Sequence, residues 1–475
     1  MTRPQRKPRR IDDPVELTIE SLAFGGSGVA RRNGKVGFVP GALPGEVVRA
    51  QPKGRRKKFD RYELLDVLEP SPHRRPAQCP HLNLCGGCSM QSLDYEHQLA
   101  AKAEHVRDCL ERLGAVRIPE VGPPVASPNE FRYRNKMDFT FARRAWEPDG
   151  PPEEPKSDPA LGLHVPGRFD AVFDLESCVL PSERVVQVLH VVRKFARERG
   201  LTAYQSREDS GLLRHLVTRE GERTGDLLVA LVVRRSEPLL AELAGLLAEA
   251  VPSLTGFVVI VNETKAAIAR GTQDEVLFGS PFFRERVLDL EFELRAQSFF
   301  QTNTRGAERL IEITREMLGD RRGETLLDLY CGVGTLGLAL ARNFDRLIGV
   351  EQIGEAVSDA RRNAARNKIA NAEFVEGDVE GWIRHADPDL LGQSGIVVDP
   401  PRAGLHPRAL AAIGSAAPPW LLYVSCNPST LARDLAGFRP LGLEPRRLQI
   451  LDLFPQTGHI ESVVWLESTK PERSS

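Results

Sequence analysis

The chain has 475 residues, 41% of them hydrophobic, and a formal net charge of −1, which is enough to bury several cores in two or three domains. No apolar run reaches the length of a membrane span, and the opening MTRPQRKPRR lacks the apolar core of a signal peptide. The expectation is therefore a soluble, cytoplasmic, monomeric protein with no membrane partner. Seven cysteines in a chain this long do not make a disulfide framework, especially as three of them crowd into CPHLNLCGGC.

The charge is unevenly spread. Residues 1–78 carry 17 Lys and Arg against 9 Asp and Glu, a balance of +8 that leaves −9 for the remainder. A basic N-terminal module on an acidic body points to a polyanionic partner, here RNA, bound in a salt-sensitive way. Residues 1–11 read as a basic tail. From 12 to 71, short alternating segments (VELTIESL, GSGVARRNGKVGFVPG, GEVVRAQ, YELLDVLEP) are punctuated by Gly and Pro. They predict a small β-barrel. The pattern resembles the TRAM domain, an OB-like barrel found on RNA-modifying enzymes, and Arg55, Arg56, Lys57 and Lys58 suit a phosphate backbone.

Residues 72–93 hold the cysteine cluster. DYEHQLAAKAEHVRDCLERLG, within 94–124, is helical in pattern and ends at Gly114. Residues 125–292 mix strands and helices and, with 72–93, are expected to form a central α+β domain. Its segment RRAWEPDGPPEEPKSDPA is too rich in proline and charge to be core. FRYRNK offers Arg132, Tyr133, Arg134 and Lys136 as alternating cationic and aromatic groups for RNA. Residues 293–470, grouped with 94–124, alternate apolar strands with helices, the pattern of a Rossmann-like α/β domain with buried parallel strands. Residues 471–475 read as a tail.

Ligands of open α/β sheets bind at the carboxyl ends of the strands. There LLDLYCGVGTLGLAL places a glycine loop, with Tyr330, Gly332 and Gly334, between a strand and a helix. Glu351 ends the next strand, where a carboxylate can accept from both ribose hydroxyls, and Asp378 ends the third, towards the adenine. No nicotinamide-binding half follows, so the pattern favours S-adenosyl-L-methionine over a dinucleotide. Asp399 ends the fourth strand in VVDPPRAG, a motif similar to the D/N-P-P-[YFW] of amino-methylating enzymes but with Arg402 at the aromatic position. Cys426 ends the fifth in SCNPST, a location unlike that of a core cysteine. Glu461 lies in TGHIES between apolar runs, which argues for a tight turn that presents it inward. A thiol nucleophile and a carboxylate base beside a methyl donor suit methylation of a pyrimidine carbon.

Together FFQTN, DLYCGVGTL, DPPRAGL, SCNPSTLARD and FPQTGHIE resemble the RNA uracil-5-methyltransferase family over nearly the whole chain. The resemblance implies a class I S-adenosyl-L-methionine-dependent enzyme making 5-methyluridine in ribosomal RNA or tRNA. In it Cys426 attacks the uracil ring and Glu461 removes the proton from the methylated carbon. It also implies that Gln301, Tyr330, Glu351 and Asp399 serve the cofactor, and that Phe299 stacks on a base. The target base must leave its stack.

Cys79, Cys85 and Cys88 can reach one metal centre, with Cys178 as the fourth ligand because Cys109 lies mid-helix and Cys331 and Cys426 belong to the cofactor site. Four cysteines also bind zinc. The family resemblance implies a [4Fe-4S] cluster on all four, with a structural or RNA-binding role. The leading expectation is methylation of 23S ribosomal RNA, with tRNA as the alternative. Cytosine carbon-5 methylation is disfavoured because DPPRAG carries no thiol, and amino-group methylation leaves Cys426 without a task. A non-catalytic iron–sulfur RNA-binding protein would need neither Cys426 nor Glu461.

Overall fold

The first five strands close into a barrel: β1 (Val15–Leu22), β2 (Ser27–Arg32), β3 (Lys35–Pro40), β4 (Val47–Arg55) and β5 (Phe59–Glu69), in the order β1-β2-β3-β5-β4. Alternate side chains point inward along each strand, and Leu17, Ile19, Val39, Val48, Ala50 and Tyr62 form the barrel core. This computed structural model describes residues 13–55, 57–147, 159–266 and 268–469. The expected tails at 1–11 and 471–475, Arg56, and residues 148–158 of the proline-rich loop lie outside the described residues. Among the described residues no helix is long and apolar enough to cross a membrane.

Helix α1 (Tyr95–Arg112) is capped by Asp94, whose side chain accepts from His97 N. Its Ala103, Val106 and Leu110 pack with Leu431 and Leu435 of the C-terminal domain, and β6 (Glu120–Val121) joins that domain's sheet beyond its last strand. The central sheet contains β7 (Lys136–Ala142), β8 (Ala160–Val165), β9 (Arg168–Asp174), β10 (Leu213–Glu220), β11 (Leu227–Val233), β12 (Leu254–Val261) and β13 (Gln273–Gly279). Its order is β13-β12-β11-β10-β7-β8-β9. On one face of β11, Leu227, Val229 and Leu231 pack with α2 (Glu183–Glu198) and α3 (Leu240–Ala250).

The other face of β11, with Leu228, Ala230 and Val232, shares a core with the hairpin β14 (Phe282–Val287) and β15 (Leu290–Arg295) and with α4 (Thr304–Leu318). The domain boundary expected at 292/293 falls inside β15. Six cross-strand pairs, Phe282–Arg295 to Val287–Leu290, make the hairpin one unit, so it bridges the two domains whole.

The C-terminal domain continues with β16 (Gly323–Leu329), α5 (Thr335–Leu340), β17 (Phe344–Glu351), α6 (Gly354–Arg366), β18 (Ala372–Glu376), α7 (Val379–His385), α8 (Pro388–Gln393), β19 (Gly395–Val398), α9 (Pro407–Ala416), β20 (Trp420–Ser425), α10 (Pro428–Phe438), β21 (Leu443–Leu451) and β22 (Glu461–Ser468). The sheet order is β18-β17-β16-β19-β20-β22-β21-β6. The strands from β18 to β20 are parallel, and β22 runs antiparallel between β20 and β21. The strand order reverses direction at β16/β19, which opens the crevice where such sheets take ligands.

Candidate active site

A cleft of about 1170 Å³ lies over the carboxyl ends of β16, β17, β19 and β20. On one side the β16–α5 turn has positive φ at Tyr330 (66°), Gly332 (55°) and Gly334 (86°). Tyr330 is the costly member, since a side chain there opposes the left-handed conformation. Its backbone N donates to Val350 O, and its hydroxyl bonds Glu380 Oε1 at 3.3 Å. Glu351 ties the turn down, accepting from Gly332 N at 3.1 Å and Ile353 N at 2.9 Å.

Gln301, Tyr330, Gly332, Glu351 and Asp399 all line the cleft with Cys426 and Glu461. Two of the expected cofactor residues do not. Gly334 lies beneath the turn, where a Cβ would come 3.0 Å from Leu338 and 3.3 Å from Phe374, so it serves close helix–strand packing. Asp378 caps α7, its carboxylate accepting from Gly381 N, while Val379 and Glu380 face the cleft instead. An acid after a strand has the same sequence signature in either role. Asp328 was not anticipated. It is buried on β16, accepts from Gly337 N at 2.9 Å and lines the cleft. Burial moves its carboxyl up to about 7, the neighbouring Asp399 and Glu351 push the same way, and the bond from Gly337 N opposes them.

Cys426 and Glu461, 35 residues apart in the numbering, are brought together by strand register. Ser425 of β20 pairs with Ser462 of β22 in the antiparallel ladder, and the next step sets Cys426 opposite Glu461. Burial raises the Cys426 thiol to about 11; Glu461 and Asp399 push the same way and Arg402 opposes them. Burial holds the Glu461 carboxyl well above its usual range, Asp399 adds to this, and Arg402 again opposes. Burial takes Asp399 up to about 7. Arg402 is thus the cation that favours the reactive, charged forms of both groups. Its backbone carbonyl accepts from Asn427 Nδ2 at 2.9 Å, which ties the DPPR turn to the SCNP turn. His459, 3.4 Å from Arg402, is kept neutral by burial and then by Arg402, with its pKa down to about 4.

The segment leading to Glu461 is braced from several elements. Lys102 Nζ bonds Asp452 Oδ2 at 2.7 Å and Phe454 O at 3.1 Å, and both side chains of this ion pair are buried. Gln98 and Gln456 exchange two bonds, each 3.0 Å. Tyr133 Oη donates to Pro455 O at 3.0 Å, and Met90 N donates to Gln456 O at 3.1 Å. A Cβ on Gly458 would lie 2.4 Å from Gly25 of the barrel. Barrel, cysteine loop and α1 all meet this one segment.

The FRYRNK residues separate by environment. Tyr133 is 2% exposed and faces the core, Arg132 donates to Cys178 O and Pro181 O, and Lys136 pairs with Asp138. Only Arg134 lines the cleft. Phe299 is 61% exposed at its rim. Arg132–Asn135 precede β7, which starts at Lys136, and Arg132 has a φ of 55°, so the course of the loop, invisible in the composition of the motif, divides these roles.

Cys79, Cys85, Cys88 and Cys178 line one small cavity, with Leu163, Leu175 and Leu180 around them. Burial raises the thiols of Cys85, Cys88 (to about 12) and Cys178 (to about 11), and the sulfurs raise one another further. The donor set suits a thiophilic metal centre, which needs thiolates and stabilises them. Gln91 Nε2, a buried donor with no oxygen partner, lies against Cys88, and Gly87 N donates to Cys85 Sγ. Among the described residues the group of three His, Cys, Asp or Glu ligand atoms lying within 4.8 Å of one another is His73, Asp94 and His97.

Known proteins resemble this chain in sequence and in fold. A family model described as tRNA (Uracil-5-)-methyltransferase matches residues 261–469, and a TRAM domain model matches residues 12–51. A protein of Halalkalibacterium halodurans described as an uncharacterized RNA methyltransferase is 36% identical over 464 residues, 98% of this chain and 99% of that protein. One of the same description from Chlorobaculum tepidum is 37% identical, covering 96% of this chain and 97% of its own. Among solved structures, the Pyrococcus abyssi tRNA (uracil-54, C5)-methyltransferase in complex with S-adenosyl-L-homocysteine aligns with a TM-score of 0.72 and 28% identity, over 95% of this chain and 99% of that one.

Proposed function

We propose a reaction and a substrate from one premise: the chain belongs to the RNA (uracil-5-)-methyltransferase family, enzymes that use S-adenosyl-L-methionine. In the proposed mechanism Cys426 Sγ bonds to carbon 6 of a flipped uracil, giving carbon 5 enolate-like electron density. Carbon 5 then takes the methyl group, leaving S-adenosyl-L-homocysteine. Glu461 accepts the carbon-5 proton, and the electron pair restores the ring double bond as the carbon–sulfur bond breaks. The observation that carries this reading is the β20/β22 register, which sets thiol and carboxylate opposite each other at the cleft.

Burial raises the thiol to about 11 and the Glu461 carboxyl well above its usual range, and Arg402 opposes both shifts. Arg402 thus favours the thiolate that attacks and the carboxylate that takes the proton, and a bound cationic sulfonium would favour them too. Gln301, Tyr330, Glu351 and Asp399 are assigned to the cofactor and Phe299 to stacking on a base. The test is a 5-fluorouridine RNA, which carries fluorine in place of the carbon-5 proton, so the methylated adduct has no proton to give up and stays bound. The wild-type protein should form a denaturation-stable adduct with it and Cys426→Ala none; methylation retained by Cys426→Ala excludes the covalent route.

We assign a [4Fe-4S] cluster to Cys79, Cys85, Cys88 and Cys178, supported by the enclosed thiol set and by the buried Gln91 side chain against Cys88. Such a group, when bound, would hold the cysteine loop against the segment that carries Glu461. Ribosomal RNA is the proposed substrate, supported by the barrel, whose Lys57 and Lys58 are exposed at the β4–β5 turn. tRNA is a second reading, favoured by the full-length likeness to the Pyrococcus tRNA enzyme. Mapping 5-methyluridine in both RNAs from a strain lacking the protein decides between them.

A further inference from the structure

From the C-terminal domain the cleft is lined by Asp328, Glu351, Glu355, Glu380, Asp399 and Glu461, with Arg402 as a cation among them. From the central domain and the cysteine loop it is lined by Arg134, Arg270, Gly86 and Gly87, and Arg134 and Gly87 also line the cavity of the four thiols. Many arginines of the chain sit on carboxylates, as Arg184 does on Glu220 and Arg223 on Glu308, and the buried Arg214 donates to backbone carbonyls. Arg134 and Arg270 have no such partner among the described residues. The Nε of Arg134 donates only to Lys136 O, at 3.0 Å. Arg270 is exposed at the rim, close enough to Lys136 and Arg219 that, after burial, it helps to depress their pKa values. Asp138 pairs with Lys136 at 3.0 Å, which still leaves Lys136, Arg219 and Arg270 with an excess of positive charge that an anion stabilises.

The size and polarity of the cleft indicate which anion. At about 1170 Å³ it exceeds the roughly 300–1,000 Å³ of a site for one small ligand, so it has room beyond the cofactor. A cationic sulfonium suits the cluster of carboxyls, and a phosphodiester suits the unpartnered arginines. A nucleotide whose base reaches Cys426 can set its phosphate against Arg134 and Arg270. From this we infer that Arg134 and Arg270 form a phosphate subsite for the RNA backbone beside the flipped uridine, with Gly86 and Gly87 as a floor that lacks side chains and lets the backbone approach. The subsite deepens the methylation reading and rests on it. It also gives the cysteine loop a direct part in holding RNA.

The test uses the full-length, cluster-loaded protein and two fluorescein-labelled RNA hairpins, one with a uridine in its single-stranded loop and one with cytidine there. Affinities are measured across a series of potassium chloride concentrations. Arg270→Ala and Arg134→Ala should each weaken binding several-fold, equally for both hairpins, and lower the salt slope by about 0.7–1. Arg270→Lys should keep the slope, and the affinity for S-adenosyl-L-homocysteine should stay within about twofold of wild type. Because Arg134 adjoins the thiols, Arg270→Ala decides the matter should Arg134→Ala lose iron or fold poorly. A wild-type slope in folded Arg270→Ala, a loss confined to the uridine hairpin, or a loss confined to S-adenosyl-L-homocysteine overturns the subsite. None of these readouts requires methyl transfer, so a wild-type protein that never forms the Cys426 adduct would refute the mechanism and leave the binding result standing.

Discussion

Replacing Lys102 by Met should damage both stability and proton removal, because one buried ion pair serves both. Lys102 and Asp452 have side chains 2% and 0% exposed and meet at 2.7 Å. Methionine matches the aliphatic stem of lysine but leaves Asp452 charged, buried and short of its cation. Breaking a buried pair from one side costs about 3–5 kcal/mol. Asp452 keeps a bond from Phe454 N at 2.9 Å, which places the cost near the lower end, about 3 kcal/mol. At roughly 2–4 °C per kcal/mol for a unit of 150–250 residues, the C-terminal unfolding transition should fall by about 6–12 °C. Adding Asp452→Asn removes the stranded charge and keeps the acceptor for Phe454 N, so the double variant should recover more than half of the loss. Calorimetry of the four proteins measures this cycle. In parallel, Lys102→Met should accumulate covalent enzyme–RNA adduct during turnover, since the segment it braces leads to the base. A Lys102→Met protein within about 1 kcal/mol of wild type, the range of an exposed pair, or a double variant no better than the single one, would refute the reasoning.

Glu461→Gln should methylate its RNA once and then remain attached to it, seen as a shifted band on a denaturing gel; release at the wild-type rate counts against the proposed base. The carboxyls of Asp399 (about 7) and Glu461 and the thiol of Cys426 are all raised and must lose protons to act. The single-turnover rate should therefore climb as pH rises through 7, and a flat profile from pH 6 to 9 would contradict this. Arg402→Ala should move that limb to higher pH and slow iodoacetamide labelling of Cys426 at fixed pH, because the cation lowers both pKa values. For stability the sign is opposite. Asp328 is about 7 when folded, above its unfolded value, so its contribution is complete below about pH 4 and is lost as pH rises through 7. Asp328→Asn should accordingly flatten the decline of the melting temperature between pH 5 and 8. Anaerobic preparations should contain iron and sulfide that Cys178→Ser loses and Cys109→Ser keeps; stoichiometric zinc with neither would overturn the cluster.

Much of the architecture is legible along the chain because its signals are local. The apolar strands from ETLLDLY to WLLYVSC announce parallel β16–β20, and glycine turns announce the barrel. Tyr330, Gly332 and Glu351 line the cleft as expected because a turn and the strand end beside it sit one supersecondary unit apart. Placement is harder where one residue type has two local uses: Asp378 caps a helix, and Tyr133 is buried in a core. Arg402 left a trace only as a departure from an aromatic position, and Asp328 resembled any polar residue closing a strand.

The chain order alone determined the class of fold, the cofactor turn, the thiol, the carboxylate and the cysteine set, since each depends on residue type and short-range spacing. Tertiary structure decided which of them meet. Cys426 faces Glu461 through an antiparallel register, Lys102 reaches Asp452 across 350 positions, and Arg134 and Arg270 line one cleft with the cysteine loop. Such meetings follow from how sheets pair and pack around a common core. That is a balance of burial and backbone bonding over the whole chain, which no local window contains.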